Sequence, residues 1–137
     1  MHAGEVPRFD RGTWQHVLGS APRPLAVVFT TTDCEYCPAV IERLARDLRQ
    51  SPDRAWLNVV VMDGAGDGAI LSSDPHFRLA DQLFVFDPEK AVQTRYVIDP
   101  AWRGVTPYVV LLGKNGSSRN FLGMPPAEAV KSFLRGR

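Results

Sequence analysis

The stretch LAVVFTTTDCEYCPAVIERL, residues 25–44, decides the fold. Leu25 to Phe29 form a short, nearly continuous apolar run. Such a run suits a strand buried on both faces, hence a central strand of a partly parallel sheet. Thr30-Thr31-Thr32-Asp33 reads as the turn after it. From Cys34 to Gln50 the apolar residues Val40, Ile41, Leu44, Ala45 and Leu48 recur at helical spacing, and Ser51-Pro52-Asp53 stops that helix. Trp56 to Met62 is a second, β-branched strand. Strand, helix and strand in this order form a βαβ unit, which nearly always crosses over right-handed.

Working outward, residues 1–9 read as an irregular lead-in. Thr13 to Leu18 reads as a short helix capped by Thr13 and ended by Gly19 and Pro22. Beyond the second strand, residues 63–82 form an insertion. Its Asp63-Gly64-Ala65-Gly66-Asp67-Gly68 reads as a flexible loop. It lacks the ligand pattern of a calcium loop and the Gly-Lys-Ser/Thr of a phosphate loop. Residues 77–83 read as a short helix, Leu83 to Phe86 as an extended piece, and Glu89 to Tyr96 as a helix after Pro88. Tyr108 to Leu112, a turn at Gly113-Lys114-Asn115-Gly116 and a strand through Arg119 to Leu122 make a hairpin marked by Asn-Gly. Pro125-Pro126 opens a last helix with Ala129, Val130, Phe133 and Leu134 on one face.

The 137 residues argue for one domain over the whole chain, large enough to bury a core without a disulfide staple. Apolar residues at 45% and charged residues at 23% are ordinary for a soluble globular protein. A formal net charge of +1 gives no basis for nucleic acid or a membrane surface as a partner. No apolar run approaches the ~20 residues of a membrane span. Met1-His2-Ala3-Gly4-Glu5 lacks the basic-then-apolar order of a signal peptide. A monomer is expected.

The only two cysteines, Cys34 and Cys37, lie three positions apart where a buried strand gives way to a helix. Unpaired N–H groups and the positive end of the helix dipole gather at such a place and stabilise a thiolate. The i, i+3 spacing on a helix brings Cys37 under Cys34. Cys34 can then attack a partner's disulfide as the exposed nucleophile, and Cys37 can resolve the mixed disulfide. Asp33 and Glu35 work against the thiolate by like charge, although water and salt screen exposed carboxylates. Two plainer readings compete. A C-x-x-C can be half of a zinc site, but zinc wants four ligands, and His16 and His76 lie at no helpful spacing. It can be an inert disulfide, but so small a loop restrains the unfolded chain little. Redox work fits the strand–CxxC–helix context best. No cofactor beyond the Cys34–Cys37 disulfide, and no metal, is expected.

LAVVFTTTDCEYCPAVIERL resembles the strand–CxxC–helix core of thioredoxins. GVTPYVVLLGKNG, residues 104–116, followed by a strand and a helix, looks like their second half. The resemblance implies a thioredoxin-like α/β fold and a cis-proline at Thr106-Pro107 facing the CxxC. The backbone of Thr106 would then pair with an extended partner segment. LFVFDPEKAVQTRYVIDPAWRGVTP, residues 83–107, and the insertion before it resemble bacterial TlpA-type proteins, also called redoxins. That narrower likeness implies a reductase of specific client protein disulfides, such as those of cytochrome or copper-site maturation. It also implies a membrane-bound or thioredoxin-like electron donor and the bacterial periplasm or cell envelope, with the cytoplasm as the alternative. Two features depart from thioredoxin. Val28 stands where thioredoxin has a buried acid that helps move the resolving thiol's proton, and Asp33 replaces the usual Trp before the first cysteine.

The expected site is therefore Cys34 and Cys37 as the reacting pair. Glu35, Tyr36, Thr106, Pro107 and Trp102 are expected to touch the partner. Trp14 and Trp56 read as core or edge aromatics. His76 reads as a solvent-exposed loop histidine, because copper-delivering relatives of the fold use C-x-x-x-C with a distant histidine. A copper-handling or non-catalytic binding module is the alternative function.

Overall fold

All six residues of β2, Leu25–Thr30, are buried, and the sheet is built outward from them. A computed structural model describes residues 5–136. Chain order is β1 (Arg8–Phe9), α1 (Arg11–Ser20), β2, α2 (Cys37–Gln50), β3 (Trp56–Val61), α3 (Gly68–Ser73), β4 (Gln82–Phe86), α4 (Ala91–Ile98), β5 (Tyr108–Leu112), β6 (Ser118–Leu122) and α5 (Ala127–Arg135). The six strands lie in the order β1-β4-β3-β2-β5-β6. β1, β4, β3 and β2 run parallel; β5 is antiparallel to β2, and β6 to β5.

Alternation along β2 splits the core into two layers. Leu25, Val27 and Phe29 face one side, with Trp14 and Val17 of α1, Ile98 of α4, and Phe9, Phe84 and Phe86. Ala26 and Val28 face the other, with Val40, Ile41, Leu44 and Leu48 of α2 and Val130 and Phe133 of α5. The parallel strands need helical crossovers, and those crossovers supply the cover on both faces.

The structure moves several expected boundaries. Arg8–Phe9, expected as a loose lead-in, pairs in parallel with β4, Arg8 opposite Val85 and Phe9 opposite Phe86. A two-residue strand has no period to read; burial of the Phe9 ring holds it, at 1% exposure. Residues 1–4 of that lead-in lie outside the described residues. Thr13 is not the cap of α1. Asp10 is, accepting the Thr13 N–H at 3.0 Å while the Thr13 hydroxyl accepts the Asp10 N–H at 3.1 Å. That arrangement is a capping box with Thr in the place usually taken by Glu or Gln. α2 starts at Cys37, not Cys34; Pro38, with its fixed φ and missing N–H, belongs in a first turn. In the insertion, the expected helix over 77–83 is only a 3-10 turn at Phe77–Leu79, and α3 forms where the sequence reads as loop. Six residues with one buried side chain, Leu71, carry too little period to be seen. The hairpin between β5 and β6 forms as expected, closed by Gly113 N–H to Ser117 O at 2.8 Å, with Gly116 at φ +85°.

Phe29 is the hub of the aromatic layer, within 5.3–6.5 Å of the rings of Phe9, Trp14, Phe86, Trp102 and Tyr108. Phe29→Ala is expected to lower unfolding free energy by about 3–5 kcal/mol, read from urea titration of the purified protein.

Candidate active site

Three chain segments meet at one end of the sheet. Parallel β2 and β3 end side by side, Thr30 opposite Val61, and the Met62 N–H donates to the Thr30 carbonyl at 2.8 Å. Antiparallel β5 starts there, with Tyr108 opposite Phe29. That register carries Thr106-Pro107 alongside the Thr30–Thr31 segment, and the hydroxyls of Thr31 and Thr106 are 3.2 Å apart. The Thr106–Pro107 peptide bond is cis, as is Arg23–Pro24. The crevice beyond the carboxyl ends of parallel strands is where open α/β sheets place their ligands.

Cys34 and Cys37 are joined in a disulfide with their Cα atoms 5.4 Å apart. Cys34 sits in the turn before α2, its N–H donating to the Thr31 carbonyl at 3.3 Å, and is half-buried. Cys37 is the first residue of α2 and is 1% exposed. The pair therefore does not lie on one helix, as the spacing suggested; it bridges a turn to a helix start. No side chain of the N-cap residue, Tyr36, bonds the first turn of α2. The positive end of the helix dipole lies at the residue that carries one of the two sulfurs.

Thr31, Cys34, Cys37, Ile70, His76 and Phe77 help to line a cleft of about 210 Å³. Larger hollows of about 470 and 580 Å³ lie around Ser51–Asp53, with no cysteine among their lining residues. Hollow size therefore does not locate the sulfur chemistry. Ile70 is 71% exposed and Tyr36 70%, so apolar surface borders the disulfide on two sides. Glu35 is exposed, Thr106 half-buried and Pro107 buried.

Trp102, expected to touch the partner, is not at the surface. It is buried at 6% exposure and stacks on Tyr108, centroids 4.3 Å apart and planes 11° from parallel. Its indole N–H donates to the Val105 carbonyl at 2.9 Å. Trp102 thus supports the loop that carries Thr106 and Pro107 from beneath. The Tyr108 hydroxyl donates to Asp99. Burial first, and the hydrogen bond to Asp99 second, push the Tyr108 hydroxyl up to about 12. The same bond, with the Ala101 N–H, holds Asp99 below the ordinary carboxylate range.

His76 is not a free loop histidine. Its Nε2 lies 3.0 Å from Glu42 of α2 and its Nδ1 3.3 Å from Asp74, which ties the insertion to the helix bearing Cys37. Asp63 lies in glycine-rich surroundings that in the sequence suggest only flexibility. It accepts two hydrogen bonds from Thr32, just ahead of the cysteines. Neither the His76–Glu42 link nor the Asp63–Thr32 link leaves a local signature, because each joins residues more than 30 positions apart.

No family model matches the chain. Solved structures do. A secreted Mycobacterium tuberculosis disulfide oxidoreductase, homologous to E. coli DsbE, superposes with TM-score 0.56 at 17% identity, covering 82% of this chain and 81% of that one. The exposed lipoprotein thioredoxin of Streptococcus pneumoniae superposes with TM-score 0.53 at 16% identity, covering 81% of this chain and 82% of that one. The chain has a thioredoxin-like fold. Its central mixed sheet, its disulfide at the end of β2 and its insertion between β3 and β4 all sit within that fold.

The Tyr108–Asp99 pair gives the thioredoxin-like fold a defined pH response. Tyr108 holds its proton more tightly folded than unfolded. Its contribution is complete below its ordinary value of 10.0 and disappears as the pH rises to about 12. Asp99 acts oppositely: its contribution is present above the ordinary carboxylate value and is lost as the pH falls through its lowered one. Tyr108→Phe is expected to cost about 1.5–3 kcal/mol at neutral pH, the scale of a hydrogen bond to a charged group. It should also flatten the alkaline limb of a stability–pH profile measured by urea unfolding.

Proposed function

We propose that the protein is a thiol–disulfide oxidoreductase that reduces disulfides of particular client proteins. The observation that carries this reading is the asymmetry of the pair: a half-buried Cys34 in a turn, bonded to a sealed Cys37 at the start of α2. An inert staple has no need of one sulfur in reach of solvent. A zinc or copper site would need further ligands, and both nitrogens of His76, the histidine lining the cleft, face carboxylates.

In the reduced protein, the Cys34 thiolate attacks one sulfur of a client disulfide. A Cys34–client bond forms, the client's own S–S bond breaks, and its second sulfur leaves as a thiolate. Cys37 then loses its proton and attacks the Cys34 sulfur. The Cys34–Cys37 bond re-forms and the client leaves with two thiols. Val28 is sealed in the apolar layer under α2, so the Cys37 proton passes to water through the cleft rather than to an acid at that strand position. Glu35 and Tyr36, between the cysteines, and Thr106, hydrogen-bonded to Thr31, receive the client segment, with the Thr106 backbone pairing with it. A dithiol donor, membrane-bound or itself thioredoxin-like, returns the pair to the reduced form. A place in the bacterial envelope is supported by the neighbours, one secreted and one exposed, and the TlpA-type role by the resemblance of residues 83–107. Among the described residues no helix is long and apolar enough to cross a membrane.

Three measurements test the reading. Alkylation of the reduced protein at neutral pH should label Cys34 first; preferential labelling of Cys37 would reverse the roles. Cys37→Ser should accumulate a thiol-reversible mixed disulfide with clients on a non-reducing gel, and Cys34→Ser should accumulate none. If neither variant traps a client that the unaltered protein reduces, the two-step mechanism is wrong. The reduction potential should lie near −270 mV, roughly that of a reducing thioredoxin; a value near about −120 mV would mark an oxidant instead.

A further inference from the structure

One acid outside the CxxC turn grips it with both oxygens. Asp63, just beyond the end of β3, accepts the Thr32 N–H on Oδ1 at 2.8 Å and the Thr32 hydroxyl on Oδ2 at 2.6 Å. Thr32 is two residues before Cys34. Its neighbour Thr31 is tied to Thr106, and the Cys34 N–H is tied back to the Thr31 carbonyl. The short turn leading to the reacting sulfur is therefore anchored on both flanks, to the end of β3 and to the loop before β5.

Asp63 is itself fixed. The next residue, Gly64, is buried, and a Cβ there would lie 2.6 Å from Leu71 Cδ1, 2.9 Å from Val61 Cγ1 and 3.0 Å from Val85 Cγ1. Any side chain there would have to push these buried neighbours aside, and Leu71 of α3 closes over the turn. The carboxylate is thus presented from a packed turn rather than from a loose loop. Hydrogen bonds to an ionised group are stronger than neutral ones; these two lie at the surface and cross between segments that the sequence separates by 31 positions.

We propose that Asp63 is a positioning residue for Cys34: by clamping Thr32 it fixes the turn that carries the sulfur and raises the effective concentration of Cys34 against Cys37. The proposal rests on the reading of the pair as a redox dithiol. The balanced reaction that reports it is dithiol plus glutathione disulfide giving the Cys34–Cys37 disulfide plus two glutathiones. Two electrons and two protons pass from the protein to the glutathione sulfurs.

The test is that equilibrium, measured for the full chain in glutathione redox buffers at about 1 M salt, where charges are screened beyond roughly 3 Å. Under those conditions the charge of Asp63 acts weakly on the thiolate, and the clamp remains. Asp63→Ala removes both acceptors and should shift the equilibrium toward the dithiol by about tenfold. Asp63→Asn keeps the clamp, because its carbonyl accepts the Thr32 N–H and its amide donates to the Thr32 hydroxyl oxygen; it should stay within about twofold of the unaltered protein. Thr32→Val deletes only the hydroxyl half and should shift the equilibrium by about threefold. A role confined to folding would lower the unfolding midpoint and leave this ratio unmoved. The proposal is overturned if Asp63→Ala matches the unaltered protein, or if Asp63→Asn shifts as far as Asp63→Ala. Absence of any exchange by the unaltered protein would instead strike the redox reading itself.

Discussion

A strand with no exposed face constrains everything around it. Leu25–Thr30 is buried along its whole length, so it must be paired on both edges and covered on both faces. β3 and β5 take the edges, α2 and α5 one face, α1 and α4 the other. Once that is arranged, the residue after the strand has only one place to emerge, at the rim where β3 also ends and β5 begins. The reacting pair is placed there because the buried strand ends there.

The two faces of β2 serve the site in different ways. Phe29 locks the strand end into the aromatic layer with Trp102 and Tyr108. Through the Trp102 N–H that layer also holds the loop of Thr106 and Pro107. On the opposite face, Val28 lies under α2, whose first residue is Cys37. The same strand thus orients the loop proposed to meet the client and packs under the helix that begins at Cys37. A packed interior changes little in shape, so both placements persist through the exchange of bonds at the surface.

The insertion between β3 and β4 is joined to the site rather than draped beside it. Asp63 reaches Thr32 at one end, and His76 bridges Glu42 and Asp74 further on. Between them Ile70 forms part of the cleft wall. An exposed salt bridge taken singly is worth little. Here the contacts are spread along the segment, and Leu71 is buried against the core.

By itself the sequence determined the central strand, the CxxC after it, the bodies of the first helix, the CxxC helix and the helix after Pro88, the strand from Trp56, the extended piece at Leu83–Phe86, the two hairpin strands and the last helix. In each of these the periodicity or the turn chemistry is local and unopposed. Pro38, suited to a first helical turn, marks in the sequence itself the start of α2 at Cys37. The tertiary structure alone decided the rest. Arg8–Phe9 becomes a strand only because β4 offers an edge. Trp102, close in sequence to Pro107, turns inward because the aromatic layer beneath the loop has room for its ring and Val105 an acceptor for its N–H. Asp63 and His76 acquire roles only when residues more than 30 positions away arrive beside them. Local physics writes elements and turns into a sequence; partnerships between distant side chains come into being only with the packing that brings them together.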